Sequence, residues 1–94
     1  MAHRVGWSRR AANDLQDIAD YISKDSAGYA SNVVKKIVSQ TRMLTQFPRS
    51  GRKVPEFDDE DVRELIVYGY RIVYRLQNSD VIIAAVIHGR RDLR

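Results

Sequence analysis

Glu64, Arg71, Arg75 and His88 are the side chains in this sequence best suited to chemistry. An arginine fork clamps a phosphate through two parallel N–H donors. A histidine near its ordinary pKa gives or takes a proton at neutral pH. A glutamate set between two arginines would complete a cleft able to hold a phosphate and move protons, and cleavage of RNA by its own 2′-hydroxyl needs little more. The same residues have a plainer use, in which Glu64 neutralises the two arginines and His88 closes a strand. Other chemistries lack their signature residues. There is no glycine-rich phosphate loop, no pair of histidines at helical spacing and no nucleophile elbow. The chain has no cysteine, which excludes disulfides and thiolate metal sites, and His3 and His88 are too few for a zinc site. No cofactor and no metal are expected.

Whether the four residues meet depends on the strands that carry them. Val62–Val67 and Tyr70–Leu76 alternate as strands and are joined by Tyr68-Gly69, a tight-turn signal. A two-residue turn sets Val67 opposite Tyr70, Leu65 opposite Ile72 and Glu64 opposite Val73. A second turn at Asn78-Ser79 sets Leu76 opposite Val81, Tyr74 opposite Ile83 and, by continued alternation, Arg71 opposite Val86. One face then holds Leu65, Val67, Tyr70, Ile72, Tyr74, Ile83, Ala85 and Ile87, and helices should cover it. The other face holds Glu64, Ile66, Arg71, Val73, Arg75, Ile82, Ala84, Val86 and His88. Glu64 falls diagonally between Arg71 and Arg75, with His88 beside Arg71. The last strand is apolar on both sides, which predicts a central place in the sheet. Ile66, Val73, Ile82 and Val86 leave the second face partly apolar, as a protein-binding face would be.

The covering helices are written earlier in the chain. Arg4–Trp7 predicts a short opening strand. Ser8 is placed to cap a helix bearing Ala11, Leu15, Ile18 and Ile22, and Ser26 to cap a second bearing Ala30, Val33 or Val34, Ile37, Thr41 and Leu44. Phe47-Pro48 ends the second helix. The two should form an antiparallel hairpin. The expected fold class is α+β, in the order β-α-α-β-β-β. Residues 49–61 form a long loop with an acidic run, Glu56, Asp58, Asp59, Glu60 and Asp61, which reads as solvated.

Ninety-four residues with 44% hydrophobic content predict one domain, 1–94, with a modest core. The net charge of +4 favours an acidic partner such as nucleic acid, ribosome or an acidic protein. No apolar run approaches the ~20 residues that cross a bilayer, and the charged N-terminus shows no signal peptide, so a cytoplasmic, membrane-free protein is expected.

The motifs F-P-R-S-G-R (47–52), V-P-E (54–56), V-R-E-L (62–65), Y-R-I-V-Y-R (70–75) and I-H-G-R-R-D-L (87–93), with Ala11, Asp14, Leu15 and Ile18 before them, resemble the RelE/ParE toxin superfamily over nearly the whole chain. The resemblance implies the toxin of a type II toxin–antitoxin system, a strand, helical hairpin and antiparallel sheet, and a cognate antitoxin encoded nearby. RelE-like members resemble ribosome-dependent ribonucleases that cut mRNA, whereas ParE-like members poison DNA gyrase. The loop P-R-S-G-R-K-V-P-E (48–56) and the H-G-R-R-D ending are similar to the ParE branch. The loop has no dense lysine cluster, and no tyrosine follows the last strand, both departures from the RelE pattern. The ParE-like reading implies a gyrase inhibitor with no catalytic residue, causing growth arrest and serving in plasmid stabilization. Its candidate target contacts are Arg49, Arg52, Lys53, Arg90, Arg91 and Arg94, and a ParD-like antitoxin would meet the face of Ile66, Val73, Ile82 and Val86. The RelE-like alternative implies a metal-independent endoribonuclease acting on ribosome and mRNA. There Arg71 would hold the phosphate, Arg75 or Arg63 would assist, and Glu56 or His88 would serve as base or acid. A third reading is an antitoxin-binding module without toxic activity.

Overall fold

The computed structural model describes residues 3–91 and 93. Strand β1 (Arg4–Trp7) leads into helix α1 (Arg9–Ser23), helix α2 (Ala27–Arg42) and a 3₁₀ turn at Met43–Thr45. Strands β2 (Arg52–Lys53), β3 (Val62–Val67), β4 (Tyr70–Gln77) and β5 (Asp80–His88) follow. They form one sheet in the order β1-β5-β4-β3-β2, antiparallel except for β1, which runs parallel to β5. The α+β class and its element order stand, and β5 is an interior strand, between β1 and β4, as its two-sided apolar character predicts. The short β2, inside the long loop, is an addition.

Both helices begin where a serine can satisfy an otherwise unpaired amide. The Ser8 hydroxyl accepts from the Ala11 amide at 3.0 Å, and the Ser26 hydroxyl from the Tyr29 amide at 3.1 Å. From there the three-and-four spacing turns one stripe of each helix inward. Ala11, Val33, Ile37 and Leu44 are buried with Ile72, Tyr74, Val81, Ile83 and Val86 of the sheet, and Leu15, Ile18 and Ile22 pack at the margin. Each valine, leucine or isoleucine among them contributes about 1.5–3 kcal/mol when fully buried. Trp7 joins this cluster.

The β3–β4 register is as the turn dictates, from Val67–Tyr70 to Glu64–Val73. Tyr68 and Gly69 both have positive φ (52° and 79°), the type I′ geometry of a two-residue hairpin. The β4–β5 register begins as expected, with Leu76 opposite Val81 and Tyr74 opposite Ile83, and then departs. Val73 pairs with Ala85, leaving Ala84 as a β-bulge, so Ile72 faces Val86 and Arg71 faces Ile87. Every side chain of β5 beyond Ala84 therefore changes face. Ala85 and Ile87 leave the helix side, and Val86 and His88 move onto it.

The bulge is held from outside the sheet. The Ser8 hydroxyl donates to the Ala84 carbonyl (3.1 Å), the Ser8 amide to the Ile83 carbonyl (2.9 Å), and the Asp14 carboxylate accepts from the Val86 amide (3.0 Å). The start of α1 thus supplies the hydrogen bonds that the ladder loses at the extra residue.

The second face is not open. Val54, Val62, Val73, Ala85 and Ile87 form a smaller core there, with Leu93 packed against it. Val54 comes from the long loop and Leu93 from near the C-terminus.

Candidate functional site

Arg71 stands at the centre of this covered face. Its side chain is 5% exposed, between Glu56 (8%) and Glu64 (0%). Nε donates to Glu64 Oε1 at 2.7 Å. Nη1 and Nη2 donate to Glu56 Oε2 and Oε1 at 2.6 and 2.7 Å, a bidentate fork, and Nη1 also donates to the Arg91 carbonyl at 2.8 Å. Glu64 Oε2 accepts from Arg52 Nε at 2.6 Å, and Glu56 Oε2 from the Leu93 amide at 2.9 Å. One ionic chain therefore runs from β2 through β3 and β4 to the loop and the C-terminal segment. The fork from Arg71, together with the Leu93 amide, holds the Glu56 carboxyl at about 2, well below its ordinary value. The Glu56 carboxylate in turn holds the Arg71 guanidinium charged.

This geometry separates residues that the alternation brings together. His88 is not beside Arg71. It pairs with Tyr70 and meets that ring edge-on, with centroids 6.1 Å apart, because the Ala84 bulge turns it to the helix side. Arg75 is exposed and sits opposite Val62 and Ile82, and Glu64 bridges Arg71 to Arg52 instead. Arg63 donates to the Gly51 carbonyl and to both the carbonyl and the carboxylate of Glu60, so it pins the loop. Of the four residues expected to face a binding partner, Val86 is buried under the helices and Val73 in the smaller core. Ile66 is 54% exposed, and Ile82 is half-buried.

The acidic run is solvated as expected, and its exposed carboxylates also pair with cations of the loop. Asp61 pairs with Arg49 at 3.0 Å, Asp58 with Lys53 at 3.0 Å, and Glu60 with Arg63 at 3.1 Å. Gly51 lets the loop close. Its amide donates to the buried Tyr74 hydroxyl (2.9 Å), which donates to the Pro48 carbonyl (2.8 Å). A Cβ at position 51 would lie 2.6 Å from both Tyr74 Oη and the Glu64 carbonyl oxygen.

Among the proposed target contacts, Arg49 and Lys53 form surface pairs with Asp61 and Asp58. Arg52 keeps its outer edge exposed, and Arg90 and Arg91 are exposed with no salt-bridge partner among the described residues. Arg94 lies outside the described residues. Arg52, Ile66, Gly69, His88, Gly89 and Arg90 line a shallow depression of about 700 Å³. Among the described residues no three potential metal ligands cluster, and no helix is long and apolar enough to cross a membrane. Sequence reasoning missed Leu93 as the residue that seats the C-terminal segment, and Ser8 and Asp14 as holders of the bulge.

The molecule is a helical hairpin on one face of a five-stranded sheet, with a loop and the C-terminal residues packed on part of the other. Residues 5–93 match the family described as the ParE toxin of the type II toxin–antitoxin system parDE. The protein Y4kP of Sinorhizobium fredii is 34% identical over 90 residues, covering 94% of this chain and 90% of that protein. Toxin ParE3 of Caulobacter vibrioides is 30% identical over 91 residues, covering 96% and 90%. A solved structure of the chromosomal ParDE toxin–antitoxin system of P. aeruginosa superposes with a TM-score of 0.76 at 26% identity, over 93% of this chain and 96% of that one. The chain belongs to the ParE family of type II toxins.

Proposed function

We propose that this toxin acts by poisoning DNA gyrase in the cytoplasm and is neutralised by a ParD-like antitoxin encoded beside it. The observation that carries the reading is the closure of Arg71. A ribonuclease would need that guanidinium open to a phosphate, and here two carboxylates and a carbonyl occupy it. His88, expected beside Arg71, pairs with Tyr70 instead. Membership of the ParE family supports the same choice.

Arg52, Arg90 and Arg91 are the target contacts in this reading, because their charges are exposed to a large anionic complex such as gyrase on DNA. Ile66 and Ile82 are the antitoxin-facing positions that remain accessible. The test is supercoiling of plasmid by gyrase and ATP with the purified toxin. Accumulation of linear DNA, abolished by the antitoxin, is expected. Unaffected gyrase, together with mRNA cut on ribosomes by the same preparation, would overturn the proposal.

A further inference from the structure

Backbone groups of Gly89, Arg91 and Leu93 are hydrogen-bonded while Arg90 and Arg91 are exposed. The Gly89 amide donates to the Gly69 carbonyl (2.7 Å) and the Arg91 amide to the His88 carbonyl (3.0 Å). Arg71 holds the Arg91 carbonyl, Glu56 holds the Leu93 amide, and Leu93 packs on the smaller core. A Cβ at Gly89 would lie 2.6 Å from the Gly69 carbonyl oxygen, so the segment crosses close to the β3–β4 turn. Arg90 is thereby set into the same depression as Arg52 and Ile66.

Without these bonds an exposed strand end with two arginines would be a mobile tail. We infer that Glu56 and Arg71 form a latch that seats the C-terminal segment, and that they act as positioning residues for Arg90 and Arg91 in target engagement. The inference rests on the gyrase reading above for the role of the two arginines; the latch itself rests on geometry alone. A preordered arm binds more tightly than a free one, since the ordering entropy is not lost on contact. The loop enters the same logic. Glu56 is presented by the segment that Gly51, Tyr74 and the Arg63–Glu60 pair hold down, so the loop and the arm are fastened together.

The test uses the full-length toxin and three variants, Glu56→Ala, Glu56→Gln and Arg90→Ala/Arg91→Ala. Trypsin cleavage after Arg90, followed by mass spectrometry under native conditions, reads the seating of the arm. Urea unfolding reads the fold, and linear DNA from gyrase reads target engagement. Loss of charge-assisted bonds predicts cleavage about tenfold faster or more in Glu56→Ala. Linear DNA should fall by a similar factor under native conditions, where urea unfolding shows the variant still folded. Glu56→Gln keeps one acceptor for the Leu93 amide and should lie between. The double-arginine variant should lose DNA trapping with its unfolding unchanged. An arm that stays protected in Glu56→Ala overturns the latch. A released arm with undiminished trapping, beside an impaired double-arginine variant, overturns the positioning role and leaves the gyrase reading intact. Undiminished trapping by the double-arginine variant overturns both the positioning role and the arm as a contact. Should Glu56→Ala not fold, the intermediate behaviour of Glu56→Gln decides between the same outcomes.

Discussion

Removing Arg71 should unfold much of this protein, and the size of the effect follows from what it would leave behind. In Arg71→Ala the Glu64 carboxylate stays fully buried, with Arg52 as its remaining partner, and that side chain is 61% exposed. Breaking a buried ion pair from one side costs about 3–5 kcal/mol, because the other charge is left uncompensated. A domain has roughly 5–15 kcal/mol of stability to lose. Urea unfolding followed through Trp7, the single tryptophan and part of the main core, measures the change directly. With a urea dependence of about 1 kcal/mol per molar for a domain of this size, the midpoint should fall by about 3 M or more. Arg71→Lys keeps the charge but not the fork and should fall between. Arg71→Met combined with Glu56→Gln and Glu64→Gln should recover most of the loss, since no buried charge is then unpaired. A folded Arg71→Ala within about 0.5 M of the wild-type midpoint would refute the reasoning, and would return this arginine to the pool of residues kept for chemistry.

Acid should weaken the protein through Glu56. Its carboxyl is lowered from 4.5 to about 2, so its stabilising effect is full above its ordinary pKa and disappears as pH falls from about 4.5 towards 2. The wild-type urea midpoint should drop through that window more steeply than that of Glu56→Gln; parallel curves would count against the assignment. Gly51→Ala should destabilise by about 1–3 kcal/mol through overpacking against Tyr74 and the Glu64 carbonyl. Tyr74→Phe should cost a comparable amount, about 1–3 kcal/mol, by stranding the Gly51 amide, and urea midpoints check both. Ser8→Ala loses a helix cap and a bond to the bulge carbonyl together, so about 1–2 kcal/mol should go, with the largest NMR shifts at Ala84–Val86; shifts confined to α1 would show that the bulge holds itself.

The helices and the tight turns were legible because their signals are local. Ser8 and Ser26 stand one residue ahead of their helices, just before each periodic stripe, and Tyr68-Gly69 fixes the register of the strands it joins. The error began at Ala84. In V-I-I-A-A-V-I neither face is polar, so no change in alternation marks the extra residue. The bulge is set by Ser8 and Asp14, more than seventy residues away, and a strand read by itself carries no trace of them. The acidic run shows a related gap. Opposite charges at Arg49, Lys53 and Arg63 flank it closely enough to pair, yet pairing depends on where the loop folds back, which Gly51 and Tyr74 decide.

The residue types at Arg71 suit two incompatible uses, and counting donors separates them. A guanidinium offers five N–H groups. The Glu56 fork, the Glu64 bond and the Arg91 carbonyl take four of them, leaving no two-toothed edge for a phosphate. A phosphate could enter only by displacing Glu56, and Glu56 also holds the Leu93 amide. Opening the site to an anion and releasing the C-terminal segment are therefore one event. With the segment seated the arginine is closed, and opening the arginine would remove two of the bonds that hold Arg91 and Leu93 in place.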